Sequence, residues 1–225
     1  MNLFKSLIVK QAEDALDKSI DTLVSKFDAP PSLRPNIEFI PKSPKTGNIK
    51  KDKINNLIFQ GYYDLETDTI YIITKKTRPS IHVVVDSLLD NLFVFSCIPH
   101  EIVYHEIGHA YQNHLLKQIG SNGRDFRENV DGNEAYARAL IDEGIAMYFE
   151  YELNNSHPDA RVEWAKRIDD FLPLNLYSMG YNLVKPIIDQ HRTKGVIHML
   201  FNPMPGEELF LPLDYQERTL SRLAT

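Results

Sequence analysis

The sequence predicts an α+β domain that is mostly helical, with a small sheet in its amino-terminal half. Three observations lead to this prediction. Apolar residues recur at helical spacing in several long segments. Two short runs rich in β-branched and aromatic residues flank a polar turn, which is typical of a hairpin. The 225 residues, 43% of them hydrophobic, are enough for one domain with two lobes around a cleft.

Charge and cysteine content narrow the classes of function. The formal net charge is −6. With this excess of acidic over basic residues, we expect no basic surface that could bind nucleic acid. Cys97 is the single cysteine, which excludes an internal disulfide and fits a reducing compartment. The chain has no pattern typical of a secretion signal and no apolar run long enough to span a bilayer. We therefore expect a cytoplasmic protein without a nucleic-acid or membrane partner, of undetermined oligomeric state.

In the first third of the chain, the sequence pattern predicts one helix and the strands of the sheet. Residues 1–30 carry apolar side chains at helical spacing, as in an amphipathic helix. A proline-rich segment follows, in which residues 37–40 suit a short strand. Residues 57–63 and 69–74 are the two strands of the hairpin, and residues 64–68 form its polar turn.

The remainder is predicted to be helical. Residues 80–91 favour a helix, although their valines also suit a strand. The helix beginning near Pro99 should end at residue 119, because Gly120 suits a helix end. Further helices are predicted at residues 133–153, 159–171 and 174–191. We expect one domain over residues 1–225: an amino-terminal helix (1–30), an amino lobe (31–119) and a helical carboxyl lobe (120–225).

The stretch "YHEIGHAYQ", residues 104–112, holds the first candidate site. His105 and His109 are one helical turn apart, so both imidazoles project from the same face. Two neutral imidazoles at this spacing can bind zinc, and Glu106 is near enough to take a proton from an activated water molecule. Without a metal, such a polar group on an apolar helix would be costly to bury.

A third ligand for the zinc ion must come from elsewhere in the chain. His114 is nine residues after His105 and so faces the opposite side of the same helix. Glu134 and Glu143 lie on the next predicted helix, also nine residues apart, so only one can point at the metal. Small and apolar neighbours favour Glu143, whereas Glu134 suits a helix cap. The predicted ligands of one Zn²⁺ ion are His105, His109 and Glu143.

Two motifs together resemble a known family. "HEIGH" followed by "DEGIAMYFE" resembles the gluzincin metallopeptidases of the thermolysin-like clan, in which an E-G-x-A-x-Y helix supplies the third zinc ligand. The hairpin "GYYDLETDTIYI" resembles the edge strand that these enzymes place along their cleft. The resemblance covers roughly residues 61–188. It implies a zincin-like catalytic domain, with Glu106 as the base, that hydrolyses a peptide or protein substrate.

The resemblance implies further site residues. "YSMG" is similar to the Y-x-x-G motif of aminopeptidases related to leukotriene hydrolase, and implies that Tyr177 stabilises the oxyanion. Tyr181, four residues later, lies on nearly the same helix face and is the alternative. The hairpin implies that the backbone of Ile70, Tyr71 and Ile72 pairs with the substrate peptide.

The sequence also departs from the family's pattern. It lacks the G-x-M-E-N string of the aminopeptidases, which argues against a dedicated aminopeptidase. Thermolysin-like members carry an aspartate four residues after the third ligand, where this chain has Met147. The groups that orient the histidines must therefore come from elsewhere, and Asp131, Glu101 and His100 are the candidates.

Two classes of function remain open at this point. The first is a zinc-dependent metallopeptidase that cleaves peptide bonds with an activated water molecule. The second is a catalytically silent or latent zinc-binding regulatory protein of the same fold, with residues 202–212 ("NPMPGEELFLP") lying in the cleft of a latent form. The identity of the substrate and the choice between endopeptidase and exopeptidase are not predicted.

Overall fold

A computed structural model describes residues 3–41, 61–74, 99–121, 126, 130, 132–154 and 176–225. Within them lie five α-helices, three strands and one 3-10 helix, so the predicted mostly helical α+β class is confirmed. The elements are α1 (Leu3–Phe27), β1 (Asn36–Ile40), β2 (Gly61–Asp64), β3 (Thr69–Ile73), α2 (Pro99–Gln118), α3 (Gly132–Asn154), α4 (Leu176–Phe201), the 3-10 helix (Gly206–Phe210) and α5 (Pro212–Leu223). The predictions for residues 80–91 and 159–171 lie outside the described residues, and the division into lobes stays a prediction.

The three strands form a mixed sheet in the order β1-β3-β2. β2 and β3 are the predicted antiparallel hairpin, with Gly61 opposite Ile72 and Asp64 opposite Thr69. β1 lies on the other side of β3 and runs parallel to it, from Asn36 opposite Thr69 onward. β3 is therefore the central strand, with a neighbour on each side.

Helices α2 and α3 pack closely against each other and run in opposite directions. A Cβ atom added to Gly108 would lie 2.7 Å from the Cα of Ala146, so only a glycine permits this approach. The contacts run in opposite order along the two helices: His105 with Glu150, Gly108 with Ala146, and Gln112 with the carbonyl of Asp142. This arrangement sets the faces of α2 and α3 that meet at the predicted metal ligands.

Helix α1 covers one side of this helix pair, as its amphipathic pattern predicts. Phe27 at its end packs edge-on against Phe149 of α3, with ring centroids 4.8 Å apart. Tyr111 of α2 donates a hydrogen bond of 2.9 Å to the Phe27 carbonyl. Lys26 pairs with Glu152 at the rim of the same contact. The buried aromatic and hydrogen-bonded contacts anchor the end of α1 to both helices of the pair.

Helix α4 is kinked at the place where the sequence predicts a helix end, and a second helical segment follows the kink. The sequence predicts an end at His191, and the kink lies at the next residue; helical structure then continues to Phe201. Arg192 interrupts the helix, with φ 47° and ψ −129°. The helix resumes because Val196, Met199 and Leu200 continue the apolar face and are buried. No helix in the described residues combines the length and the apolar character needed to cross a membrane.

Candidate metal site

Three predicted ligands meet where α2 crosses α3. His105 Nε2 lies 3.3 Å and His109 Nε2 lies 3.7 Å from the same oxygen, Oε2 of Glu143. One ligand atom from each residue lies within 4.8 Å of the other two. The side chains are 15%, 12% and 23% exposed, respectively, so the group is largely buried. His105, His109 and Glu143 form a group that can hold one metal ion.

The burial and the contacts of the Glu143 carboxylate are consistent with a cation bound between it and the two histidines. Its Oε2 atom is buried and has no hydrogen-bond partner among the described residues. The rings of His105 and His109 are nearly perpendicular, with centroids 5.1 Å apart, and both direct Nε2 toward that oxygen. A buried carboxylate oxygen without a hydrogen bond of good geometry is costly. A divalent cation held by the two imidazoles and the carboxylate would compensate its charge in place of the imidazole protons.

Each imidazole contacts one further carboxylate through its Nδ1 atom, on the side of the ring away from Glu143. Glu150 Oε2 lies 3.2 Å from His105 Nδ1, and Asp142 Oδ1 lies 3.4 Å from His109 Nδ1. The first contact is a hydrogen bond; the second has the distance of an ion pair without hydrogen-bond geometry. A carboxylate behind each Nδ1 favours a proton there and leaves Nε2 as the ligand atom.

This finding corrects the prediction for the groups that orient the histidines. The sequence suggested Asp131, Glu101 or His100, whereas Glu150 and Asp142 occupy these positions. His100 instead packs its ring against Tyr104, 5.6 Å away, and Asp131 lies outside the described residues.

The carboxylates control the charge of the metal-free site. Burial opposes a charge on either imidazole, but the neighbouring acids outweigh it and raise the pKa of both. The pKa of His109 rises to about 9, through Asp142 and Glu143. Burial would raise the pKa of Glu143, yet the two histidines lower it to about 2. In the metal-free protein at neutral pH, protons therefore occupy the imidazoles, and a metal ion must displace them.

Glu106 lies beside this group on the same helix. Its side chain is buried, and burial raises its pKa. His105 and His109 lower the pKa, and a hydrogen bond donated by the backbone N–H of Tyr63 lowers it further. A buried carboxylate with a raised pKa, next to the metal group, has the properties of a general base. The Tyr63 contact also places Glu106 against strand β2.

Strand β2 is fastened to α2 by its side chains as well. Asn113 donates a hydrogen bond of 3.0 Å to the hydroxyl of Tyr63, which in turn donates to Asp68. A Cβ atom on Gly61 would collide with Ile102 of α2, so the strand approaches the helix closely. β2 thus runs directly beside the helix that carries the two histidines and Glu106.

The two candidate tyrosines have different surroundings. The ring of Tyr177 lies 6.0 Å from that of His105, between centroids. The ring of Tyr181 packs instead against Tyr151 of α3, 4.6 Å away. Tyr177 comes this close because α4 meets α3 at Gly180 and Gly144, where a Cβ on either residue would collide with the backbone of the other helix. Of the two tyrosines, Tyr177 is the one whose ring packs against a candidate metal ligand, His105.

The prediction that the backbone of β3 pairs with substrate is wrong. β3 is the central strand, and its hydrogen-bonding edges are taken by β1 and β2. The side chains of Ile70 and Ile72 are fully buried in the core, and Tyr71 stacks on Tyr62. Among the described strands, the one at the edge next to Glu106 is β2.

Two residues that the sequence placed outside the metal group lie outside it. His114 contacts Gln118 one turn along α2, with 2.9 Å between Nε2 atoms. Glu134 pairs with Arg138 and accepts a hydrogen bond of 2.9 Å from the Gly206 amide. Neither belongs to the group around Glu143.

Comparisons of the chain with protein-family models, curated proteins and solved structures found no match. The likeness to gluzincins therefore rests on the motifs alone. What the structure adds is the three-residue group itself, which brings His105 and His109 of one motif to Glu143 of the other.

Proposed function

We propose that this protein is a zinc-dependent metallopeptidase. The observation that carries the proposal is that the Nε2 atoms of His105 and His109 converge on one buried oxygen, Oε2 of Glu143, which has no hydrogen bond of good geometry. Two imidazoles and one carboxylate are the protein ligands of a catalytic zinc site that keeps one coordination position open. The further carboxylates that contact the Nδ1 atoms are typical of groups that orient such imidazoles. The presence of Glu106 beside this group supports hydrolysis over a purely structural role for the metal.

The metal and the residues around it would each have a separate role in peptide hydrolysis. When bound, zinc would polarise the scissile carbonyl and make water a stronger acid. Glu106 would accept the proton of the attacking water and return it to the leaving amine, which its raised pKa favours. The hydroxyl of Tyr177 would donate a hydrogen bond to the carbonyl oxygen as negative charge develops there.

Strand β2 is the part of the sheet that suits an extended peptide. It is at the edge of the described sheet, and the Tyr63 N–H is directed toward Glu106. A peptide that added to this edge as a further strand would run beside the catalytic group. This assignment replaces the backbone of Ile70–Ile72, which β1 and β2 already occupy.

Metal analysis combined with a peptide-library assay tests the proposal. Purified wild-type protein should contain one zinc ion per chain and cleave peptides. Glu106→Gln should keep its zinc and lose hydrolysis, because only the base is removed. Glu143→Ala should lose zinc, whereas the matched control Glu134→Ala should keep both zinc and activity, since Glu134 pairs with Arg138 at the start of the same helix.

Each contradicting outcome has a distinct meaning. Full turnover by Glu106→Gln would remove the proposed base, and a full zinc content in Glu143→Ala would remove the proposed ligand. Zinc-loaded wild type that cleaves no library peptide would support the regulatory alternative. A latent form closed by residues 202–212 has no support here, because Gly206 contacts Glu134, nine residues along α3 from Glu143.

A further inference from the structure

A row of three side chains crosses the face of the sheet that is turned away from α2, because Gly61 and Tyr63 on either side of Tyr62 face that helix. Glu38 of β1 is the cross-strand partner of Tyr71, and Tyr71 is the partner of Tyr62 on β2. Directly paired residues share one face of a sheet. The rings of Tyr71 and Tyr62 are stacked, with centroids 4.9 Å apart and an angle of 19° between their planes. The row therefore ends, at the edge of the described sheet, in an aromatic ring.

One carboxylate, that of Asp64, lies on the same strand as the aromatic end of this row. Asp64 is two residues after Tyr62 on β2 and so lies on the same face. The pKa of Tyr62 rises to about 12, first because of burial and then because of Tyr71, Asp64 and Glu38. Of these causes, the carboxylates of Asp64 and Glu38 contribute negative potential at Tyr62, and such a potential would stabilise a positive charge near its ring.

The row points toward the place where a peptide would pair with β2. The neighbouring residue, Tyr63, donates its N–H to Glu106, so this strand edge lies at the catalytic group. A peptide strand added outside β2 would place one of its side chains as the next member of the row, directly beside Tyr62. That side chain would meet an aromatic ring, with Asp64 as the nearest acid along the strand.

We propose that Tyr62, supported by Tyr71 and Asp64, selects peptides with a lysine or arginine side chain opposite Tyr62. This inference rests on the proposed peptidase function. An ammonium or guanidinium group gains from the electron-rich face of a tyrosine, and the Asp64 carboxylate adds Coulomb attraction. A glutamate at the same position would be repelled. The substrate class is therefore peptides that are basic at one defined position.

Matched peptides that differ only at the scanned position test this selection. For wild type, the basic peptide should exceed its glutamine counterpart in kcat/KM by about three- to tenfold, the range of a partly exposed cation–π contact with added charge attraction. The difference should appear in KM and shrink in high salt. The glutamate peptide should be the poorest substrate.

Variants of Tyr62 and Asp64 test whether these residues cause the preference for basic peptides. Tyr62→Leu should bring the ratio of basic to neutral peptide close to one, whereas Tyr62→Phe keeps the aromatic face and should retain most of it. Asp64→Asn should lower the ratio about twofold or more, since one carboxylate is lost. The matched control is Glu66→Gln in the exposed turn, which should leave the ratio unchanged.

The two proposals fail in different ways in this experiment. Equal cleavage of basic, neutral and acidic peptides would overturn the selection and leave the peptidase function standing. Peptide binding to zinc-loaded Glu106→Gln, measured by fluorescence anisotropy, reports the preference independently of turnover. If that variant binds none of the peptides and wild type cleaves none, both the selection and the peptidase function are overturned.

Discussion

Glu150 Oε2 lies 3.2 Å from His105 Nδ1, on the side of the ring opposite the one that faces Glu143. Glu150 is seven residues after Glu143, two helical turns along α3, so both carboxylates lie on the face that meets α2. One helix thus supplies both a candidate ligand and the group that orients another ligand. Asp142 contacts His109 in the same way.

Glu150→Gln should weaken zinc binding about 10- to 100-fold, because the loss of an orienting carboxylate makes the imidazole a poorer and less fixed ligand. The dissociation constant is measured by competition with a chromophoric chelator. Glu152→Gln is the control, since Glu152 is on the same helix but pairs with Lys26 of α1. Equal zinc affinity of Glu150→Gln and wild type would show that the contact with His105 has no influence on the metal.

Zinc should reverse the pH dependence of stability. In the metal-free protein the pKa of His109 is raised from the ordinary 6.5 to about 9, and that of His105 is raised as well. Such groups stabilise the folded state fully below pH 6.5, and this contribution is lost as the pH rises to about 9. Zinc binding requires the neutral imidazoles and therefore strengthens with pH.

Thermal unfolding with excess zinc and with chelator, from pH 6 to pH 9, measures this reversal. The melting temperature without zinc should fall as the pH rises, while the gain produced by zinc should grow. His109→Asn should flatten both trends. A zinc-induced gain that is the same at pH 6 and pH 9 would contradict proton displacement from these histidines.

Local sequence pattern was sufficient for the helices that carry the ligands. "HEIGH" and "DEGIAMYFE" each fall within one helix. The nine-residue separation of Glu134 and Glu143 allows only one of them to face the histidines, and the small and apolar neighbours of Glu143 favour that residue. These predictions depend on helical periodicity and on the character of adjacent residues, both of which are local properties of the sequence. The metal group that results is the one found in the structure.

Features that depend on distant segments were not predictable in the same way. The hairpin was predicted, but the parallel partner of β3 is β1, 33 residues earlier in the chain, and no local pattern reveals that pairing. For this reason the wrong strand was assigned to substrate. Glu150 was missed because its contact with His105 depends on the antiparallel packing of α2 and α3, which Gly108 and Ala146 permit.

Gly180→Ala should destabilise the protein and displace Tyr177. A Cβ at Gly180 would lie 3.0 Å from both the Cα and the N of Gly144, and closer still to the Leu140 carbonyl, so α4 must shift away from α3. Overpacking of this kind costs about 1–3 kcal/mol. Denaturant unfolding of the zinc-loaded protein measures the loss, and Asn182→Ala, an exposed position on the same helix, is the control. Unchanged stability of Gly180→Ala would mean that the two helices do not need this close contact.

Tyr177→Phe should lower kcat about 100- to 1,000-fold, as the loss of a single hydrogen bond to developing negative charge does in other hydrolases. KM and zinc content should change little, because the ring and its packing 6.0 Å from His105 are retained. Tyr181→Phe is the matched control on the same helix; its ring packs on Tyr151, so its hydroxyl should be dispensable. Steady-state kinetics of both variants on one peptide decide between the tyrosines. A large loss in Tyr181→Phe with normal turnover in Tyr177→Phe would transfer the role to Tyr181 and require α4 to rotate when substrate binds.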